Sequence, residues 1–184
     1  MITDIMIDTE FLSLKYDSYI LSIGAVAWDS EDEEFYVLDR LHEFPSMRSQ
    51  QKYSPTIDGD TLMWWLGQSQ EPRESIINGQ KKACKAIKDT LLNLGYFIQD
   101  KGPGIQRIWS HGAVCDLPLL KHWYDKLGMV TPWQYQQPRD TRTLFEAVNC
   151  TPERNYTGGV AHDALADAIA QAEQVHTAWK LRRV

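Results

Sequence analysis

Residues 4–10, Asp-Ile-Met-Ile-Asp-Thr-Glu, decide the fold, because they combine a short apolar strand with two acidic side chains at its end. Side chains alternate along a strand, so Asp8 and Glu10 project to the same face. Two neighbouring carboxylates repel each other, and a hard divalent cation such as Mg²⁺ or Mn²⁺ would offset both. The alternative is a pair of strand-end acids that face solvent, and Asp-x-Glu alone is too common to exclude it.

The residues after this strand predict a sheet. A second strand is expected over 18–28 and a third over 35–41, separated by the acidic turn 29–34, so the chain opens as an antiparallel meander. Gly24 inside the second strand predicts a bulge or the close approach of another element. A fourth strand is predicted over 105–111.

Helical spacing of apolar residues follows the meander. Helices are predicted around 62–66 and over 80–94, 117–127 and 161–181. Strands that come first, followed by alternating helix and strand, imply an α/β sandwich around a mixed sheet.

Length and composition indicate one soluble domain over residues 1–184. The chain has 184 residues, of which 43% are hydrophobic and 24% charged, which is typical of a globular domain and far from disordered chains. No apolar run approaches the ~18–20 residues of a membrane span, and the N-terminus lacks the pattern of a signal peptide. We therefore expect no membrane association and a cytoplasmic location. Cys84, Cys115 and Cys150 match neither a disulfide framework nor a zinc pattern.

The net charge argues against a protein that coats nucleic acid through bulk electrostatics. Nineteen basic and 25 acidic residues give a formal charge of −6. Two divalent cations held by acidic side chains would add +4 and bring the charge to −2. An acidic chain that binds metal is therefore still able to receive a polyanion.

Two further acids lie beyond the first strand. Asp116 follows the fourth strand, where Pro118 in the first helical turn supports a helix N-cap, a role that is compatible with metal binding. Asp167 lies among small and apolar residues of the last helix, where a carboxylate on a packed face needs a partner. Asp163, four residues earlier on the same helix face, is its rival as a ligand.

These residues resemble the DEDD (DnaQ-like) 3′-5′ exonuclease superfamily in its histidine-bearing DEDDh branch. The resemblance rests on Asp8-Thr9-Glu10, on Asp116 at the start of a helix, and on His162-x-x-x-x-Asp167, and it covers nearly the whole chain. The segment Thr-Leu-Met-Trp-Trp-Leu-Gly (61–67) is similar to that of a bacterial and phage subgroup related to a mycobacterial 3′-5′ exoribonuclease and to phage exonuclease A.

The resemblance implies an RNase H-like three-layer sandwich with a central mixed five-stranded sheet flanked by helices. It also implies a hydrolase that releases nucleoside 5′-monophosphates from the 3′ end of single-stranded nucleic acid. Two Mg²⁺ or Mn²⁺ ions would be held by four carboxylates, and His162, five residues before one of them, would be the general base. The implied metal ligands are Asp8, Glu10, Asp116 and Asp167, which together with His162 form the implied catalytic set.

Substrate contacts are expected from residues at the first strand's end. The resemblance places the backbone of Thr9 near the terminal sugar, and Phe11 or Leu12 at the rim offers a surface for the last base. Ordinary core packing explains those two side chains equally well. Many relatives carry Asn and Phe where this chain has Gly112 and Cys115, so the contacts of those residues with the terminal nucleotide are not implied here.

Other functions are weighed on the same residues. An RNase H-type endonuclease uses a different arrangement of acids. A nucleic-acid-binding module without catalysis gains nothing from carboxylates concentrated near phosphate. The Asp140-Thr141 pair is interpreted as structural, because a turn or cap explains it. The sequence does not separate RNA from DNA, and dimers among relatives leave a homodimer open.

Overall fold

The computed structural model describes residues 2–82, 84–112 and 114–182. Ala83, in the helix predicted over 80–94, and Ala113, between the fourth strand and Asp116, lie outside the described residues. The strands are β1 (Asp4–Phe11), β2 (Ile20–Trp28), β3 (Asp39–Glu43), β4 (Arg107–Ser110) and β5 (Pro138–Asp140). The helices are α1 (Met47–Gln51), α2 (Gly59–Leu66), α3 (Gln70–Lys82), α4 (Ile87–Asp100), α5 (Asp116–Lys126), α6 (Thr141–Ala147) and α7 (Ala164–Leu181). None of the helices in the described ranges has the length and apolar character required to cross a bilayer.

The five strands form one mixed sheet in the order β3-β2-β1-β4-β5. β1 is antiparallel to β2, which is antiparallel to β3, whereas β4 runs parallel to both β1 and β5. The predicted α/β class and mixed five-stranded sheet are confirmed. The central strand β1 therefore ends, with its acidic residues, at the same edge as the parallel strand β4 that leads to α5.

Alternation along β1 divides the core into two layers. Ile5 and Ile7 pack with α4 and α5 on one side of the sheet. Met6 faces the other side, where it packs with α6 and α7. Because strand side chains alternate, Asp8 and Glu10 continue the Met6 face toward α7, and Thr9 continues the α5 face. Helices thus cover both faces of the sheet, as a three-layer sandwich requires.

Several predicted elements have different bounds in the structure: β2, β4 and α7 begin two or three residues later than predicted, and two other elements differ more. The helix predicted over 80–94 is wrong as one element, because α3 ends at Lys82 and α4 begins at Ile87. Lys85, between the two helices, pairs with the chain after β3: its N–H donates to the carbonyl of Phe44, and its carbonyl accepts from the N–H of Ser46. The third strand begins at Asp39 rather than at residue 35.

Gly24 allows α7 to approach the sheet closely. It lies opposite Asp8 in the β1–β2 pair, and a Cβ atom at this position would come 2.1 Å from the backbone oxygen of Ala164. The predicted close approach is therefore present, and its partner is the first turn of α7. This contact brings Asp167 near the end of β1.

Candidate active site

The paired acids at the end of β1, Asp8 and Glu10, differ in the hydrogen bonds that their carboxylates accept. The Oδ1 atom of Asp8 accepts a hydrogen bond of 2.8 Å from Nε2 of Gln171 on α7. Within the described ranges, no side chain donates a hydrogen bond to the carboxylate of Glu10, although only 9% of this residue is exposed. Glu10 is thus buried and Asp8 half-buried, and in the part of the chain that the structure describes neither carboxylate has a Lys or Arg partner.

Asp116 is held by the residue that separates Asp8 from Glu10. Thr9 donates its backbone N–H (3.0 Å) and its hydroxyl (2.6 Å) to Oδ1 of Asp116. Asp116 is the first residue of α5 and Cys115 occupies the N-cap position, so the predicted capping role of Asp116 is wrong. Its side chain instead joins the helix to β1, and it is only 4% exposed.

Asp167 lies in the first turn of α7 and is bound from both sides. Its Oδ2 atom accepts the backbone N–H of His162 at 2.6 Å. His162 has a φ of +66°, an unusual conformation for a residue with a side chain, which turns the backbone back toward the helix. Ligand atoms of Glu10, His162 and Asp167 all lie within 4.8 Å of one another, so three residues implied by the resemblance meet at one point.

Electrostatics show that the carboxylates share one environment. Burial, followed by the charges of Asp116, Glu10 and Asp167, raises the pKa of Asp8 well above its usual value. Burial and the charges of Asp167 and Asp116 raise the pKa of Glu10 in the same way. Burial raises the pKa of Asp116 to about 6, although the hydrogen bonds from Thr9 act in the opposite direction. Each of these three pKa values is therefore raised in part by the charge of another acid in the site.

Asp4, at the start of the same strand, shows what a structural buried acid looks like. Nε and Nη2 of Arg107 donate to its two oxygens at 2.6 and 2.8 Å, and the indole N–H of Trp109 donates at 2.7 Å. Glu10 is buried and Asp8 half-buried, and no Lys or Arg of the described residues forms an ion pair with either. An all-oxygen donor set with unbalanced negative charge fits Mg²⁺ or Mn²⁺, which prefer carboxylate oxygens.

Three residues of this site are not predicted by the sequence patterns. Tyr156 donates its hydroxyl to Oδ1 of Asp167 at 2.6 Å, and Nη1 of Arg154 donates to the same oxygen at 3.2 Å. Gln171, which holds Asp8, lies one helical turn after Asp167. That spacing on a shared helix face is the one signal that could have identified it. Arg154 and Tyr156 lie in an irregular segment between α6 and α7, for which no periodicity exists.

Asp163, the alternative to Asp167 as a metal ligand, makes structural contacts instead. Its Oδ1 atom accepts the N–H of Ala166 as the N-cap of α7, and its Oδ2 atom accepts the hydroxyl of Ser75 on α3 at 2.6 Å. These contacts fix the start of α7. Asp140 likewise caps α6 through the N–H of Thr143, as expected for a structural residue.

The expected substrate residues separate into three cases. Thr9 is buried, and its N–H already binds Asp116. Phe11 lines a cleft of about 440 Å³ beside Glu10. Leu12 is 6% exposed and packs with Tyr19, Leu21 and Trp65 in a separate core cluster, so its expected place at the rim is wrong.

The cleft has a different leucine and a tryptophan on its wall. Leu14 is 76% exposed and lines the cleft, as does Trp64, which is 45% exposed. The ring of Trp64 also meets the ring of His162 edge to face, with centroids 4.8 Å apart. The neighbouring Trp65 is buried and donates its indole N–H to the carbonyl of Phe11. Both tryptophans border the cleft, but only Trp64 is exposed.

Comparison with known proteins identifies similar sequences and folds. The model of the Rv2179c-like family, described as a 3′-5′ exoribonuclease domain, matches residues 3–179. No curated protein sequence matches the chain.

Three solved structures illustrate the likeness in fold. The nuclease domain of 3′hExo, a DEDDh family member bound to rAMP, shares 12% identity at a TM-score of 0.59, covering 98% of this chain and 92% of that one. Escherichia coli exonuclease I with a dT13 oligonucleotide shares 14% identity at 0.66, over 98% of this chain and 42% of that one. Schizosaccharomyces pombe Pop2p, bound to Mg²⁺ and Mn²⁺, shares 11% identity at 0.54, over 96% and 82%. At these identities the likeness shows the fold alone.

Proposed function

The chain belongs to the Rv2179c-like family of 3′-5′ exoribonuclease domains and is a 3′-5′ exonuclease, and on this premise we propose how its residues do the work. Its substrate is single-stranded RNA, and its product is a nucleoside 5′-monophosphate released from the 3′ end. The family description supports RNA, and the bound rAMP of 3′hExo supports the class of product. Residues 1–184 act as one exonuclease domain, and all the proposed catalytic side chains come from a single chain.

In this proposal, four carboxylates hold two divalent cations. They are those of Asp8, Glu10, Asp116 and Asp167. The support is the burial of Glu10, Asp116 and Asp167, the raised pKa values of Asp8, Glu10 and Asp116, and the lack of a cation beside Asp8 and Glu10 within the described ranges. Bound Mg²⁺ or Mn²⁺ would supply Lewis-acid stabilisation of the charge that develops on the scissile phosphate and the leaving oxygen. Thr9 and Gln171 orient the carboxylates of Asp116 and Asp8 through hydrogen bonds.

His162 is the proposed general base. Its side chain offers a ring nitrogen within 4.8 Å of carboxylate oxygens of Glu10 and Asp167. The neutral imidazole carries a ring nitrogen with a free lone pair, which is able to accept a proton from water. The backbone N–H of His162 binds Asp167, and the edge-to-face contact with Trp64 orients the ring.

The cleft beside Glu10 receives the terminal nucleotide. It adjoins a proposed metal ligand, and its wall carries Phe11, Leu14 and Trp64, which are the apolar surfaces on which a base stacks without regard to sequence. Such stacking suits an exonuclease that removes every nucleotide in turn. The expected role of Phe11 is kept, whereas Leu14 replaces Leu12.

The convergence of Glu10, His162 and Asp167 within 4.8 Å carries this proposal most directly. The test is degradation of 5′-labelled single-stranded RNA and DNA with Mg²⁺, Mn²⁺ or EDTA. Stepwise shortening of RNA from the 3′ end, lost in EDTA, supports the proposal. Internal cuts would indicate an endonuclease, and equal or faster shortening of DNA would contradict the proposed preference for RNA.

A further inference from the structure

The segment between α6 and α7 brings a permanent positive charge to the acidic site. Arg154 is the only Lys or Arg of the described residues that forms an ion pair with any of the four proposed ligands. Its Nη1 atom lies 3.2 Å from Oδ1 of Asp167. A guanidinium does not lose its proton in proteins, so this charge is present at every physiological pH.

Arg154 is anchored in that position. Its Nε atom donates to Oε1 of Gln174 on α7 at 3.3 Å, and Nε2 of the same glutamine donates to the carbonyl of Pro152 at 2.5 Å. Gln174 is buried, so these bonds fasten the segment to the helix that carries Asp167. The guanidinium therefore belongs to the wall of the site and is not a loose surface side chain.

Arg154 is not required merely to orient Asp167. Tyr156 donates to the same oxygen, Oδ1, at the shorter distance of 2.6 Å, and the N–H of His162 holds the other oxygen. If Arg154 lost its charge, both oxygens would keep a donor. Besides a hydrogen bond of 3.3 Å to the hydroxyl of Tyr156, Arg154 contributes its positive charge, which attracts phosphate and repels a divalent cation.

We propose that Arg154 makes cation binding at this site depend on the presence of a substrate or product phosphate. In the free protein, the positive charge of Arg154 weakens cation binding. The negative charge of a phosphate at the site offsets the positive charges of Arg154 and of the cations. This inference rests on the proposed function, because it takes the four acids as cation ligands. Arg154 thus couples the binding of the cation to that of the phosphate. Each of these two ligands therefore strengthens the binding of the other by the same factor.

The experiment measures Mn²⁺ affinity by calorimetry, with and without AMP, which serves as a phosphate ligand that undergoes no turnover. For the wild type we expect AMP to tighten Mn²⁺ binding at least about fivefold, the lower end of usual couplings. Arg154→Gln and Arg154→Met should bind Mn²⁺ about threefold more tightly without AMP and lose most of the tightening with it. Arg154→Lys keeps the charge and should behave as the wild type.

A matched substitution and a folding measurement isolate the effect of the Arg154 charge. Arg139→Gln is the matched control, because Arg139 donates to the carbonyls of Gln136 and Pro138 rather than to a proposed ligand. Melting curves establish that each variant folds. Arg154→Gln and Arg154→Met both remove the charge, so they should give the same result. Weaker or unchanged Mn²⁺ binding in both neutral variants would overturn the inference while leaving the proposed function intact. Absence of Mn²⁺ binding in the wild type would overturn both.

Discussion

Thr9 and Asp116, 107 residues apart in the chain, are joined by two hydrogen bonds to a single oxygen. The backbone N–H and the hydroxyl of Thr9 approach Oδ1 of Asp116 at 3.0 and 2.6 Å. Because Thr9 lies between Asp8 and Glu10 on β1, this pair fixes the start of α5 against the strand at the level of both acids. The direction of the Asp116 carboxylate is therefore set by the protein itself.

Replacing a proposed ligand should abolish activity without unfolding the protein. For Asp8→Asn and Asp116→Asn we expect a loss of at least about 100-fold in kcat and weaker Mn²⁺ binding, since charge stabilisation at the phosphate is lost. The measurement is single-nucleotide release from labelled RNA, together with Mn²⁺ calorimetry. Asp125→Asn is the control, because this exposed residue pairs only with Lys121 in the described structure. Wild-type rates in Asp8→Asn would contradict the proposed site.

His162→Asn should separate metal binding from proton transfer. Asparagine tolerates a positive φ better than other residues with side chains, so this variant avoids the strain expected of alanine at φ +66°. We expect kcat to fall about 100- to 10,000-fold while Mn²⁺ affinity stays within about threefold of the wild type. His122→Asn, on the outer part of α5, serves as the control. An unchanged kcat in His162→Asn would remove this residue as the base.

Gly24→Ala should damage the site by displacing the first turn of α7. The added Cβ atom would meet the backbone of Ala164 at 2.1 Å, and backbone atoms on a packed helix move only with the whole helix. We expect a loss of about 1–3 kcal/mol in the free energy of unfolding and a fall in kcat, because α7 carries Asp167. Gly59→Ala, where a Cβ atom meets nothing within 4 Å, should leave both unchanged. Equal denaturant midpoints for the two variants would show that α7 shifts freely.

The two adjacent tryptophans should respond differently to substitution. Trp64→Leu removes an exposed ring from the cleft, and we expect KM for RNA to rise about 5- to 100-fold, as base stacking predicts, with little change in melting temperature. Trp65→Leu removes a buried ring and its hydrogen bond to Phe11, so it should lower the melting temperature instead. A Trp64→Leu enzyme with the wild-type KM would exclude stacking at this position.

The acidic site should make the ion-free protein less stable as the pH rises. The folded pKa of Asp116 is about 6, above the ~3.9 of an unfolded chain, so its stabilising contribution is complete below about pH 4 and is lost as the pH rises through 6. In EDTA, Asp116→Asn should therefore gain stability relative to the wild type from about pH 4 to about pH 7, above which the gain stays constant.

Adding Mn²⁺ at about pH 8 should reverse that order by stabilising the wild type alone. Urea denaturation at about pH 4 and about pH 7 in EDTA measures the first effect, and urea denaturation at about pH 8 with and without Mn²⁺ measures the second. A stability difference between the wild type and Asp116→Asn that stays constant across this pH range in EDTA would contradict the raised pKa.

Local rules of the chain identified only part of the proposed site. Alternation along β1 put Asp8 and Glu10 on one face, whereas Asp116, His162 and Asp167 were selected because their motifs resemble those of the DEDDh branch. The mixed sheet followed from the order of apolar segments. Where prediction failed, the local pattern competed with a distant contact. Residues 80–94 have helical spacing, yet pairing of Lys85 with residues 44 and 46 interrupts the helix.

Sequence alone therefore determined which acids and which histidine to consider, because alternation along a strand fixes which residues share a face and because the remaining motifs resemble those of a known family. Only the tertiary structure decided what supports them. Gln171 reaches Asp8 across 163 residues, and Arg154 and Tyr156 reach Asp167 from a segment without periodicity. Such contacts depend on how α7 packs against the sheet, and no spacing along the chain encodes that distance.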